Sequence, residues 1–166
     1  MMETLEQYRD RFETVAVAEP LLGEVGNDAT VINADKEAVA QALVAEAVKA
    51  AGYDSRETAE AEGVAFVLLG HGTAHVAKVS YSQMQNKMEK LNYNNVFIGT
   101  VEGEPEETAC EAVIESVQAA GYRTVILRPL MVVAGDHANN DMAGDDEHSW
   151  RSQFIAAGCF DAVTAQ

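Results

Sequence analysis

Three residues of this chain could do chemistry together: His71, Glu102 and His137. Each follows directly on an apolar run. Val64 to Leu69 leads into Gly70-His71, Asn95 to Val101 leads into Glu102, and Val125 to Ala134 leads into Gly135-Asp136-His137. Two neutral imidazoles and one carboxylate suit a borderline divalent ion such as Fe²⁺, Co²⁺, Ni²⁺ or Zn²⁺. Three protein ligands leave coordination positions open, which a catalytic or transfer site requires and a structural site does not.

The spacings of 31 and 35 residues converge only if the elements carrying them lie side by side. Short apolar runs alternating with helical patterns, without hairpin turns, predict βαβ units and a parallel sheet. In such a sheet all strand C-termini share one edge, where α/β proteins build their sites. The expected strands are Thr14–Ala18, Val64–Leu69, Asn95–Val101 and Thr124–Val133, with a last apolar piece at Phe160–Thr164. The run Val125–Val133 reads as a strand buried on both faces. Helices are expected over Met1–Phe12, Asp35–Ala51 with Asp35 as N-cap, Ser80–Leu91, Glu106–Ala120 and Ser149–Ala157. The inner side of Ser80–Leu91 carries Met84, Met88 and Leu91. The fold class is therefore α/β: a flavodoxin-like or Rossmann-like parallel sheet between helices, one domain over residues 1–166. It reads as incomplete at both ends, because the first helix has no preceding strand and the last strand no covering helix.

Other polar residues have plainer readings. His75 lies four positions after His71, a same-face spacing on a helix, so it is either a base behind His71 or a surface residue. Asp136 and Asp141 are expected to orient His137, while the remaining carboxylates of the loop cap the helix at Ser149. That loop, with Asp145, Asp146 and Glu147, lacks the alternating ligand spacing of an EF-hand. Gly70-His71-Gly72 is too short for a dinucleotide motif, and neither Ser80 nor Ser149 sits in a nucleophile elbow. Nothing resembles a phosphate loop, so no nucleotide is implied.

Composition narrows the partners. Eleven basic against 27 acidic residues give a formal charge of −16, which excludes a phosphate-neutralising nucleic-acid surface and attracts divalent cations. No stretch approaches the ~20 apolar residues of a membrane helix, and Met1–Phe12 has no signal-peptide core, so the cytoplasm is the expected compartment. Cys110 and Cys159 lack metal-ligand spacing and read as small hydrophobes.

The motifs Gly70-His71-Gly72-Thr73-Ala74-His75, Val101-Glu102-Gly103-Glu104-Pro105 and Pro129 through Asp146, continuing to Ser149-Trp150, resemble the class II anaerobic cobalt chelatases. The resemblance implies insertion of Co²⁺ into sirohydrochlorin on the route to cobalamin, without ATP, with Fe²⁺ or Ni²⁺ as other candidate metals. It implies His71, Glu102 and His137 as metal-binding residues, His71 and His137 as catalytic, and Gly70, Gly72, Met131 and Gly135 as contacts for the tetrapyrrole. It also implies two similar α/β halves with the macrocycle between them. This chain is similar to the second half, with residues 1–18 continuing from the first. Edges left by missing elements would favour a homo-oligomer.

Overall fold

The computed structural model describes residues 2–17, 20–26 and 30–166. In chain order it contains α1 (Met2–Glu6), a 3₁₀ turn (Arg9–Arg11), α2 (Ala34–Ala50), α3 (Arg56–Ala61), β1 (Val64–Gly70), a 3₁₀ turn (Val76–Lys78) and α4 (Val79–Lys90). There follow β2 (Val96–Thr100), a 3₁₀ turn (Glu106–Thr108), α5 (Cys110–Ala119), β3 (Thr124–Pro129), a π-helical turn (His137–Met142), α6 (Trp150–Ala156) and β4 (Ala162–Ala165). The sheet is parallel throughout, in the order β2-β1-β3-β4.

β1 is the centre of the molecule. All seven of its residues are buried, because helices cover both faces of a parallel sheet and leave neither side for polar alternation. Its residues point alternately into two cores. Val64, Phe66 and Leu68 join Val96, Ile98 and Ile126 beneath α2 and α4, where Val44, Met84 and Met88 pack. Ala65, Val67 and Leu69 join Val125 and Leu127 beneath α5 and α6, where Val113, Val117, Trp150 and Phe154 pack. Burying each such side chain contributes roughly 1.5–3 kcal/mol, so the two cores hold β1 and β3 rigidly beside each other.

The helix ends follow from local chemistry. α2 begins at Ala34 because Asn33, rather than the expected Asp35, accepts the Lys36 N–H at 3.3 Å. Ser149 caps α6 by accepting from the Ser152 N–H at 3.1 Å, and the same hydroxyl donates to the Gly144 carbonyl at 2.7 Å. Capping of α6 thus falls to the serine, whereas Asp146 binds the His148 N–H.

Two expected strands are corrected. Thr14–Val17 forms no strand; Ala18, the last residue of that expectation, lies outside the described residues, as do Met1 and Asn27. β3 stops at Pro129 instead of running to Val133. Its neighbours end there too: Leu69 pairs with Pro129, the Leu130 N–H reaches the Leu69 carbonyl at 2.7 Å, and β1 then turns away at Gly70. Without a ladder partner Val132 and Val133 stand 79% and 80% exposed. The last apolar piece forms an outer strand, β4, displaced two residues from its expected start at Phe160.

This difference is measurable in stability. Val133→Ser should change the urea midpoint by the equivalent of about 0.5 kcal/mol or less, whereas Leu127→Ala should cost about 2–5 kcal/mol. A core-sized loss at Val133 would place the strand end later than Pro129.

Candidate metal centre

The chain leaves β1 towards α4, on one face of the sheet, and leaves β3 towards α6, on the other. β1 and β3 are neighbours, so their C-terminal loops diverge and open a crevice between them, the usual ligand position in an open α/β sheet. His71 comes from the first loop and His137 from the second. Their Nε2 atoms lie 3.1 Å apart, with the rings edge-on at 90° and centroids 4.4 Å apart.

The second nitrogen of each ring decides what that approach means. His71 Nδ1 is 2.8 Å from the Gly72 carbonyl oxygen, and His137 Nδ1 is 2.6 Å from Asp141 Oδ2. A carbonyl and a carboxylate only accept, so both Nδ1 atoms donate and, in neutral rings, both Nε2 atoms carry lone pairs. Two lone pairs opposed at this distance repel unless a cation lies near both. Two nitrogens each about 2.1 Å from one ion span about 3 Å at a right angle, so the separation is compatible with one shared ion.

Glu102 follows β2 through its first turn, and its Oε1 lies 4.0 Å from His71 Nε2. Its backbone is fixed more tightly than its side chain: the Glu102 N–H donates to the His71 carbonyl at 2.9 Å, extending the β1–β2 ladder past both strands. The carboxylate itself is about half exposed. Among the described residues no three His, Cys, Asp or Glu side chains already stand in a ligating array. Two are paired and the third is adjacent.

The histidines form one rim of an open cleft of about 500 Å³ whose other walls are largely apolar, including Leu21, Leu22, Val25, Leu130, Met131 and Val132. Glu102 and Asp141 line a smaller neighbouring cleft of about 270 Å³, with Thr100, Cys110, His148 and Trp150. Burial pushes the Cys110 thiol up to about 12, with the charge of Glu111 adding to the effect.

The remaining expected positions divide. Met131 lines the larger cleft. Gly135 is exposed with open space where a side chain would be. Gly70 and Gly72 are buried and make room for protein rather than ligand. A Cβ on Gly70 would fall 2.2 Å from the Tyr81 ring, and Gly72 has φ +90° with Glu102 Cβ 3.0 Å from the position a Cβ would take. His75 turns away from His71: its Nδ1 accepts from the Ala77 N–H at 3.2 Å and caps the 3₁₀ turn. Asp136 is exposed at the start of the π-helical turn, and Asp141, four residues along, is the carboxylate that orients His137.

Two features of the cleft escape a reading by strand ends. Tyr81 lies three residues before Met84 on the inner face of α4, so helical periodicity could have included it. The wall at Leu22 is tied down by Lys36, a fully buried lysine that donates to the Leu22 carbonyl at 2.7 Å. Burial pushes that ammonium's pKa down, and Asp35 partly offsets the shift. No local motif announces this contact.

A parallel sheet between helices, with two imidazoles paired at its switch point, places the chain among the open-sheet α/β proteins. The chain belongs to the cobalt chelatase (CbiK) family, whose model matches residues 1–166. Among curated proteins it is 42% identical over 92 residues to the sirohydrochlorin cobaltochelatase of Salmonella typhimurium strain LT2, covering 55% of this chain and 33% of the relative. It is 34% identical over 149 residues to the sirohydrochlorin cobaltochelatase CbiKC of Nitratidesulfovibrio vulgaris strain Hildenborough, covering 90% of this chain and 45% of that one. The chain thus spans less than half the length of these relatives.

The Asp141 contact can be tested directly. Replacing an oriented carboxylate behind a histidine ligand typically lowers metal affinity 10–100-fold. Asp141→Asn should weaken Co²⁺ binding by that order in a visible-absorption titration, with little change in thermal midpoint. Unchanged affinity would remove Asp141 from the centre.

Proposed function

We propose that this chain is the metal-holding part of a sirohydrochlorin cobaltochelatase, corresponding to the second half of its longer relatives with residues 1–18 continuing from the first. His71 and His137 hold Co²⁺ between their Nε2 atoms, and Glu102 turns the short remaining distance to complete the set. The macrocycle lies against the apolar wall of the larger cleft. As the metal enters, two pyrrole N–H protons leave; one passes to an imidazole as that ring releases the ion, the other to water. The opposed Nε2 pair, each ring oriented by an oxygen acceptor on Nδ1, is the observation that carries this reading. The relatives' names favour cobalt and sirohydrochlorin; Fe²⁺ and Ni²⁺ are the competing metals.

Two further statements belong to the same proposal. The cytoplasm is its proposed compartment; among the described residues no helix is long and apolar enough to cross a membrane. It also associates with further copies, since β2 and β4 are the outer strands of the sheet among the described residues.

His137→Ala is expected to abolish the cobalt-dependent spectral change of sirohydrochlorin under anaerobic conditions, and unchanged insertion would sink the assignment. The shared length of less than half favours a second reading, a module that binds metal or tetrapyrrole without turnover. Progress curves separate the two. Several products per chain support the chelatase, and a single stoichiometric burst supports the binding module.

A further inference from the structure

His71 sits in a turn whose geometry is controlled from outside the turn. The peptide joining His71 to Gly72 is gripped at both ends: its carbonyl accepts from the Glu102 N–H at 2.9 Å, and its N–H donates to the Tyr81 hydroxyl at 3.2 Å. Gly72 then adopts φ +90° in a buried position, and its own carbonyl turns back to accept from His71 Nδ1. That last bond selects the tautomer leaving the Nε2 lone pair aimed at His137. The orientation of one peptide plane therefore decides where the imidazole points.

Glu102 supplies one half of this grip through its backbone, which no side-chain change removes. Tyr81 supplies the other half through a phenol carried on the first turn of α4. Its ring lies over Gly70, so closely that a Cβ there would meet the ring at 2.2 Å. The ring is also anchored against the core shared by α2, α4 and the sheet, which keeps the hydroxyl from following the turn if the turn moves. A bare glycine at 70 and a left-handed glycine at 72 are the conditions under which this contact forms.

The geometry points to Tyr81 as a positioning residue of the metal centre: its hydroxyl clamps the His71–Gly72 peptide and so fixes the tautomer and aim of His71. It touches neither metal nor reacting atoms and acts through the turn. The inference rests on the reading of His71 and His137 as the metal-holding pair, and its test keeps the two apart.

Tyr81→Phe keeps the ring over Gly70 and deletes the acceptor for the Gly72 N–H. Co²⁺ alone is titrated into the full chain by visible absorption, comparing the unmodified protein, Y81F and H137A. Loss of an orienting contact behind a ligand corresponds to about tenfold weaker Co²⁺ binding in Y81F. The thermal midpoint is expected to fall by no more than several degrees, the cost of one unpaired peptide N–H, so the chain stays folded at the titration temperature. Wild-type Co²⁺ affinity in Y81F, with binding lost in H137A, overturns the Tyr81 assignment and leaves the histidine pair standing. Undiminished Co²⁺ binding in H137A overturns the pair, and the assignment with it. A second measurement needs no variant: the Gly72 amide hydrogen of the unmodified chain should exchange slowly, and exchange at the rate of an open loop overturns the clamp.

Discussion

The geometry of this protein centres on two imidazole nitrogens held against each other. Imidazole nitrogens 3.1 Å apart, each ring already donating through its other nitrogen, are an unfavourable arrangement without a cation. It persists because neighbouring parallel strands stand about 4.8 Å apart and their loops begin from fixed positions. β1 is gripped on both faces by separate cores, and β3 shares both cores with it. Relaxing the repulsion by moving the strands would disturb the packing of Phe66, Leu69 and Leu127, all fully buried. The sheet therefore keeps the two imidazoles close together rather than relaxed apart.

The surroundings are asymmetric in a way that matches the two kinds of reactant proposed above. The larger cleft is mostly aliphatic and carries the histidines on its rim; the smaller one holds Glu102 and Asp141. An apolar wall suits the face of a macrocycle, and carboxylates suit an incoming cation. The exposed Val132 and Val133 lengthen the apolar side beyond what the fold itself needs.

Much of this was legible in local pattern. The six apolar residues Val64–Leu69 read as a strand covered on both sides, and the alternation of such runs with helical periods points to a parallel sheet. His71, Glu102 and His137 were visible as polar residues placed where apolar runs stop. The pattern misled where hydrophobicity outlasted the ladder. Met131, Val132 and Val133 look like core but have no strand to pair with beyond Pro129, and Thr14–Val17 has strand composition without a partner. The glycines misled differently. Gly70 and Gly72 looked like openings for a ligand, but Tyr81 and Glu102 fill the space beside them.

What the amino-acid sequence determined by itself is the set of elements and the kind of donor at each strand end, because hydrophobic period and residue type are local properties. Which donors meet is not local. The 3.1 Å between His71 and His137 depends on β1 and β3 being neighbours with loops leaving to opposite faces, whereas Asp141, His75 and Tyr81 find their partners within one connection each. Only the tertiary structure decided that order, since the packing of helices on two faces of one sheet sets which strand ends lie side by side.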